Sequence, residues 1–131
     1  MLTWNEQLVT GSELVDAQHL QLVEKLNALE QILEGPLPPK SVCDAFLADL
    51  GADVASHFSY EEGCMERARC PAHAQNKRAH EAFLELFGRF RARYDLEGPS
   101  RELLTTLQRA ASDWTVNHIL AVDVQLRGCR G

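Results

Sequence analysis

A chain of 131 residues with 45% hydrophobic and 24% charged residues suits one globular domain with a real core, and excludes a disordered or fibrous protein. A net charge of −6 argues against nucleic acid as a partner. Membrane insertion and export are not expected either, because no apolar run nears spanning length and Met1 to Val15 lacks the parts of a targeting signal.

Residues 1–15 read as an arm, with apolar Trp4, Leu8 and Val9 packing on the rest and Gly11 and Ser12 breaking any helix. A first helix is expected over about 16–34, starting at Asp16, whose carboxylate suits the positive helix end. Val15, His19, Leu22, Leu26, Leu29 and Leu33 alternate by four and three, which places His19 on the buried stripe. Gly35, Pro36, Pro38 and Pro39 end that helix.

A second helix, about 41–66 with Ser41 as its cap, carries Cys43, Phe46, Leu50, Val54, His57, Glu61 and Met65 near one face. Gly51 inside it weakens the helix or permits a close helix approach. Pro71 suits the first turn of a third helix, about 71–95, whose seam runs His73, Asn76, His80, Phe83, Phe87, Phe90 and Tyr94. Arg89, Arg91 and Arg93 near its end read as a solvated face. A fourth helix, about 100–127, places Leu104, Leu107, Ala111, Trp114 and His118 on one stripe and continues through Asp123.

Four helices with short connections and no strand pattern imply an all-α, antiparallel up-down-up-down four-helix bundle spanning residues 1–131 as one domain. Cys43, Cys64, Cys70 and Cys129 show no CxxC spacing, so the expectation is free thiols in a reducing cytoplasm, with neither a thiolate zinc site nor a redox pair.

The polar residues on the seams carry the functional signal. His57 and Glu61, four apart on a helix, lie one above the other on a face that is otherwise apolar. Unpaired polar groups there are costly, and in helix bundles the usual compensation is a metal held between facing helices. Antiparallel order brings His19, His57 with Glu61, Asn76 with His80, and His118 with Asp123 to the same end of the bundle. Imidazoles and carboxylates without a required thiolate suit iron, manganese or zinc, and carboxylates can bridge two cations.

The chain resembles the bacteriohemerythrins, single-domain dioxygen-binding proteins with a non-haem di-iron centre. The matching stretches are Trp4 with the arm, Asp16-Ala17-Gln18-His19, His57-Phe58-Ser59-Tyr60-Glu61-Glu62 with Met65, Pro71 through His80-Glu81-Ala82-Phe83, and Trp114-Thr115-Val116-Asn117-His118 through Asp123. The resemblance implies that His19 and His57 bind one iron, which keeps a position open for dioxygen. It implies that Glu61 and Asp123 bridge two iron ions (Fe2+/Fe3+) together with an oxo or hydroxo group, and that His80 and His118 bind the second iron. Phe58, Leu22, Trp114 and Ile119 are then the expected walls of a dry pocket.

This chain departs from the family at Asn76, where the family has a further ligand histidine. Asn76 has three open fates: ligation through its amide oxygen, a hydrogen bond to a bound water, or a gap. His73, one turn earlier, is a candidate substitute that reaches a metal only by bending the first turn of its helix, so a supporting or partly exposed position is expected ahead of direct ligation. The implied function is dioxygen storage, delivery or sensing without catalytic turnover, in a cytoplasmic monomer or weak oligomer. The alternatives are a di-iron protein with peroxide, nitric oxide or ferroxidase-type reactivity, or a metal-depleted interaction module.

Overall fold

In the computed structural model, which describes residues 2–129, the first helix starts earlier than its sequence suggests. Ser12 caps α1 (Glu13–Glu34) by accepting a hydrogen bond from the Val15 N–H, so the residue expected to break a helix starts one. Asp16 instead ties down the arm. Its carboxylate accepts from the Thr10 N–H and hydroxyl at 2.7 and 2.8 Å and from the Gly11 N–H at 3.3 Å. The arm is held at two more points: Leu2 exchanges a pair of 2.8 Å hydrogen bonds with Asn27, and Arg127 donates to the carbonyls of Glu6, Gln7 and Val9. Leu8 is buried, whereas Trp4 is only partly so.

The second helix, α2 (Lys40–Arg67), begins after Pro39 and has no side-chain cap, so Ser41 lies inside it. It ends in a Schellman motif: Cys70 N–H donates to Met65 O and Arg69 N–H to Glu66 O, with Arg69 in the left-handed region at φ 54°. The apolar contact that accompanies such a cap is present, since Met65 and Cys70 share a buried cluster. Pro71 therefore sits in the connecting turn, closed by His73 N–H to Cys70 O, and not in the first turn of α3 (His73–Glu97). Gly98 ends α3 at φ 79° and ψ 177°, a conformation essentially reserved for glycine. Ser100 then caps α4 (Arg101–Ala121) by accepting from the Leu103 N–H.

The fourth helix does not run through Asp123. It breaks at Val122 (φ −121°, ψ −57°), and a 3-10 turn, Asp123–Gln125, leads into the short α5, Leu126–Cys129. The break matters to the site, because residues five apart on a continuous helix point about 140° away from each other and His118 and Asp123 would not have faced one point.

The described residues hold helices and no strands. Helix α1 packs on α2 and α4, and α3 packs on those same two, which is the cyclic order of an up-down-up-down four-helix bundle. Gly51 marks a close approach, because a Cβ there would stand 3.1 Å from the Phe87 ring. The core divides along the axis. Cys43, Leu47, Tyr94, Leu103, Leu104 and Leu107 fill the end distant from the start of α1, and Leu22, Leu26, Leu50, Val54, Phe58, Phe83 and Ala111 fill the middle. Val15, Met65, Cys70, Ala72, Val122 and Leu126 close the other end.

That closing cluster contains a Cys70–Cys129 disulfide with a Cα separation of 5.2 Å, which corrects the expectation of four free thiols. Spacing along the chain gave no hint of it, because the pair is assembled by topology: the α2–α3 turn and α5 meet at the same end of the bundle. Cys43 and Cys64 are free. Arg89, Arg91 and Arg93 form exposed i, i+4 ion pairs with Glu85, Asp95 and Glu97, as a solvated face should. No described helix is long and apolar enough to cross a membrane.

Candidate metal centre

Five elements deliver polar side chains to one buried point. α1 supplies His19, α2 supplies His57 and Glu61, α3 supplies Asn76 and His80, α4 supplies His118, and the turn after α4 supplies Asp123. All seven are buried, with Glu61 and Asn76 at 0% exposure.

The two carboxylates stand between two pairs of histidines. Glu61 Oε2 lies 3.2 Å from His19 Nε2 and 3.7 Å from His57 Nε2, while its other oxygen lies 3.2 Å from His80 Nε2. Asp123 divides in the same sense, with Oδ2 3.1 Å from His19 Nε2 and Oδ1 3.0 Å from His118 Nε2. Two overlapping donor clusters result: His19, His57, Glu61 and Asp123, and Glu61, His80, His118 and Asp123. Each carboxylate belongs to both.

Neighbouring residues aim the rings. His57 Nδ1–H donates to Gln18 Oε1 at 2.7 Å, and His80 Nδ1–H donates to Glu62 Oε2 at 3.1 Å. Each bond selects the tautomer whose Nε2 lone pair faces the centre. Gln18 and Glu62 stand next to ligands in the sequence, and local pattern assigns them no role. Their one available signal was adjacency, since a residue next to a helical ligand can reach across to the ligand of a neighbouring helix. Aromatic faces complete the alignment on one side: Phe58 stacks on His80 at 3.8 Å and Trp114 on His118 at 4.5 Å.

The electrostatics call for a cation. Burial disfavours charge on His19, but its contacts with Asp123 and Glu61 outweigh that and raise its pKa to about 9. His57 is pushed down to about 3 by burial and by its neighbour His19. Burial would lift Asp123, yet the imidazoles of His118 and His19 hold it below the usual carboxylate range. Despite the short distances, Nε2 of His19 and of His80, both Glu61 oxygens and Asp123 Oδ1 make no hydrogen bond among the described residues. Leaving such atoms buried and unsatisfied costs about 1–3 kcal/mol each. Lone pairs that converge without hydrogen bonds between them fit metal ions, and nitrogen with carboxylate oxygen suits iron, manganese or zinc.

The family profile described as Hemerythrin HHE cation binding domain matches residues 10–126. The chain belongs to this family. It is 33% identical to a bacteriohemerythrin of Stenotrophomonas maltophilia (strain R551-3) over 124 residues, 94% of this chain and 77% of that one. A bacteriohemerythrin of Pseudomonas paraeruginosa (strain DSM 24068 / PA7) is 31% identical over 119 residues, 90% of this chain and 74% of its own length. A hemerythrin alpha subunit of Lingula reevii is 30% identical over 125 residues, 95% and 92% of the two chains.

Within this hemerythrin-like frame, His73 is half-buried as the first residue of α3, and neither donor cluster includes it. A cavity of ≈ 80 Å³ reaches His57 between α1 and α2, and Gln18, Gln21, Asp53 and Ser56 line it together with Leu22, the one of the four expected pocket walls found there. Phe58 and Trp114 instead press on His80 and His118, and Ile119 is buried at 1% exposure without lining that cavity. Asn76 is fully buried, its Oδ1 2.7 Å from His118 Nε2.

Proposed function

We propose that this chain binds dioxygen at two iron ions, joined by an oxo or hydroxo group and held in the paired donor clusters, for storage, delivery or sensing without catalytic turnover. The observation that carries this reading is the division of Glu61 and Asp123, each of which turns one oxygen toward each side of the centre. His19 and His57 would hold the first ion, and His80 and His118 the second. Bound there, a ferrous pair supplies the electrons on which dioxygen binding draws.

The chain's own residues do the rest. Gln18 and Glu62 fix the tautomers of His57 and His80 through their Nδ1 protons. Phe58 and Trp114 cover the second side with aromatic faces and keep water from it. On the first side, a cavity of ≈ 80 Å³ extends to His57, the one first-cluster donor among its lining residues. Names of relatives support the reading: two of the proteins this chain resembles are called bacteriohemerythrins.

The same reading places the protein in the cytoplasm as a monomer or weak oligomer. The Cys70–Cys129 bond weighs against that location, because disulfides persist mainly in oxidising compartments, and cell fractionation decides the matter. The test of function is metal analysis of protein purified with and without air, paired with its visible spectrum and assays for turnover of peroxide and ferrous iron. The expected result is two irons per chain, a spectrum that responds reversibly to dioxygen, and no turnover. Well-folded, colourless, metal-free protein would overturn the reading, and sustained turnover would replace the carrier with an enzyme.

A further inference from the structure

Against the second donor cluster lies a buried amide that belongs neither to its paired histidines nor to the shared carboxylates. Asn76 is 0% exposed, its Oδ1 points at His118 Nε2 from 2.7 Å, and its Nδ2 has no hydrogen-bond partner among the described residues. A buried amide held only to make a hydrogen bond to a histidine would leave half its capacity unused at a real cost. The distances suggest another role. Two donors about 2.1 Å from one ion and at right angles to each other lie about 3.0 Å apart. His118 Nε2 stands 2.7 Å from Asn76 Oδ1 and 3.0 Å from Asp123 Oδ1, so both separations match edges of one coordination polyhedron.

We propose that Asn76 Oδ1 is a metal ligand, the fifth that the protein supplies to the second position. This inference rests on the two-metal reading above and deepens it. The first position then has two imidazoles and two carboxylate oxygens, whereas the second has two imidazoles and three oxygens. The added carbonyl oxygen brings the second position, with one bridging solvent oxygen, to six donors. The first stays one donor short of that. Exchangeable ligands are thereby directed to the first ion. The oxygen-rich second position favours hard, six-coordinate divalent ions such as manganese(II), while the four-ligand first position tolerates zinc.

The test is titration of metal-free full-length protein with cobalt(II) alone and then manganese(II) alone, following stoichiometry and, for cobalt, the visible ligand-field bands. Those bands strengthen as coordination falls below six, so they report coordination number directly. The wild type should take up two cobalt ions per chain, one with the weak bands of a six-coordinate site. Asn76→Leu, similar in size but without a donor, should weaken one of the two steps at least tenfold for either metal and intensify the corresponding bands. Asn76→Asp, with an anionic oxygen in the same place, should bind that ion more tightly than the wild type. If Asn76→Leu binds both ions with wild-type affinity and wild-type bands, Asn76 is not a ligand. Should Asn76→Leu fail to fold, unchanged affinity and bands in Asn76→Asp overturn the assignment equally. A wild type that takes up fewer than two ions fails earlier, refuting the two-metal reading and this assignment with it.

Discussion

At the end of the bundle where α2 begins and α3 finishes, Cys43, Leu47, Leu103, Leu104 and Leu107 pack around a fully buried Tyr94, whose hydroxyl donates to Asp44 at 2.7 Å. At the opposite end, equally buried positions hold four imidazoles, two carboxylates and an amide, several without a hydrogen-bond partner. The same four helices run through both. The first end gains stability from apolar burial, with the Tyr94 hydroxyl satisfied in place. The second holds carboxylate oxygens and imidazole nitrogens without hydrogen-bond partners, which a bound cation would satisfy. Stability and function are therefore separable along the axis, and substitutions should sort by end.

The largest effect expected is at Glu61. Glu61→Ala removes one of the two carboxylates that both clusters share, so bound metal should fall to background at both positions. Retention of one full equivalent would show that the clusters are independent. Leu47→Ala at the other end should do the reverse, destabilising the fold by about 2–5 kcal/mol in denaturant unfolding while a metal-loaded sample keeps its stoichiometry. Loss of metal in that variant would erase the division between the ends. Chelation should lower the melting temperature, since a ligand present at about a hundred times its dissociation constant stabilises the native state by about 2.7 kcal/mol. Equal melting of metal-free and reconstituted protein would count against the centre.

Smaller effects sharpen the comparison. Tyr94→Phe deletes one satisfied hydrogen bond and should cost about 1 kcal/mol at neutral pH, with no change in metal content. Burial and the Asp44 contact push the Tyr94 phenol well above its ordinary pKa. A raised folded-state value means that this contribution is complete below about pH 10, the unfolded value, and declines above it. The gap between wild type and Tyr94→Phe should therefore narrow as pH climbs past 10, and a constant gap would show that the phenol is not held as described. His73→Ala should be the mildest, leaving two metals bound; a lost equivalent would make His73 a ligand and revise the start of α3.

Legibility followed the physics of periodicity. The alternation of three and four revealed the helices because burial selects for a continuous apolar stripe, and it exposed His19, His57, Glu61, His80 and His118 as polar intrusions on that stripe. Asp123 was readable by type but not by placement, because no glycine or proline announces the break at Val122. That break comes from tertiary packing: Val122 and Leu126 are both buried in the cluster that closes this end. Ser12 and Asp16 exchanged roles because either can cap, and the choice depended on whether the arm needed a carboxylate. Arg69 in a left-handed cap and the Cys70–Cys129 pair lay beyond local pattern altogether.

The disulfide bears on the one ligand that does not sit on a long helix. Asp123 belongs to a three-residue turn, six positions before Cys129, and Cys129 is bonded to the turn that joins α2 to α3. Were the turn to melt, a tether of six residues confines Asp123 to within about 20 Å of that anchor. Confinement on that scale keeps the effective concentration of its carboxylate near the other ligands high, on the millimolar order of a short flexible linker. A carboxylate that detaches is then recaptured before an ion held by the remaining donors can diffuse away.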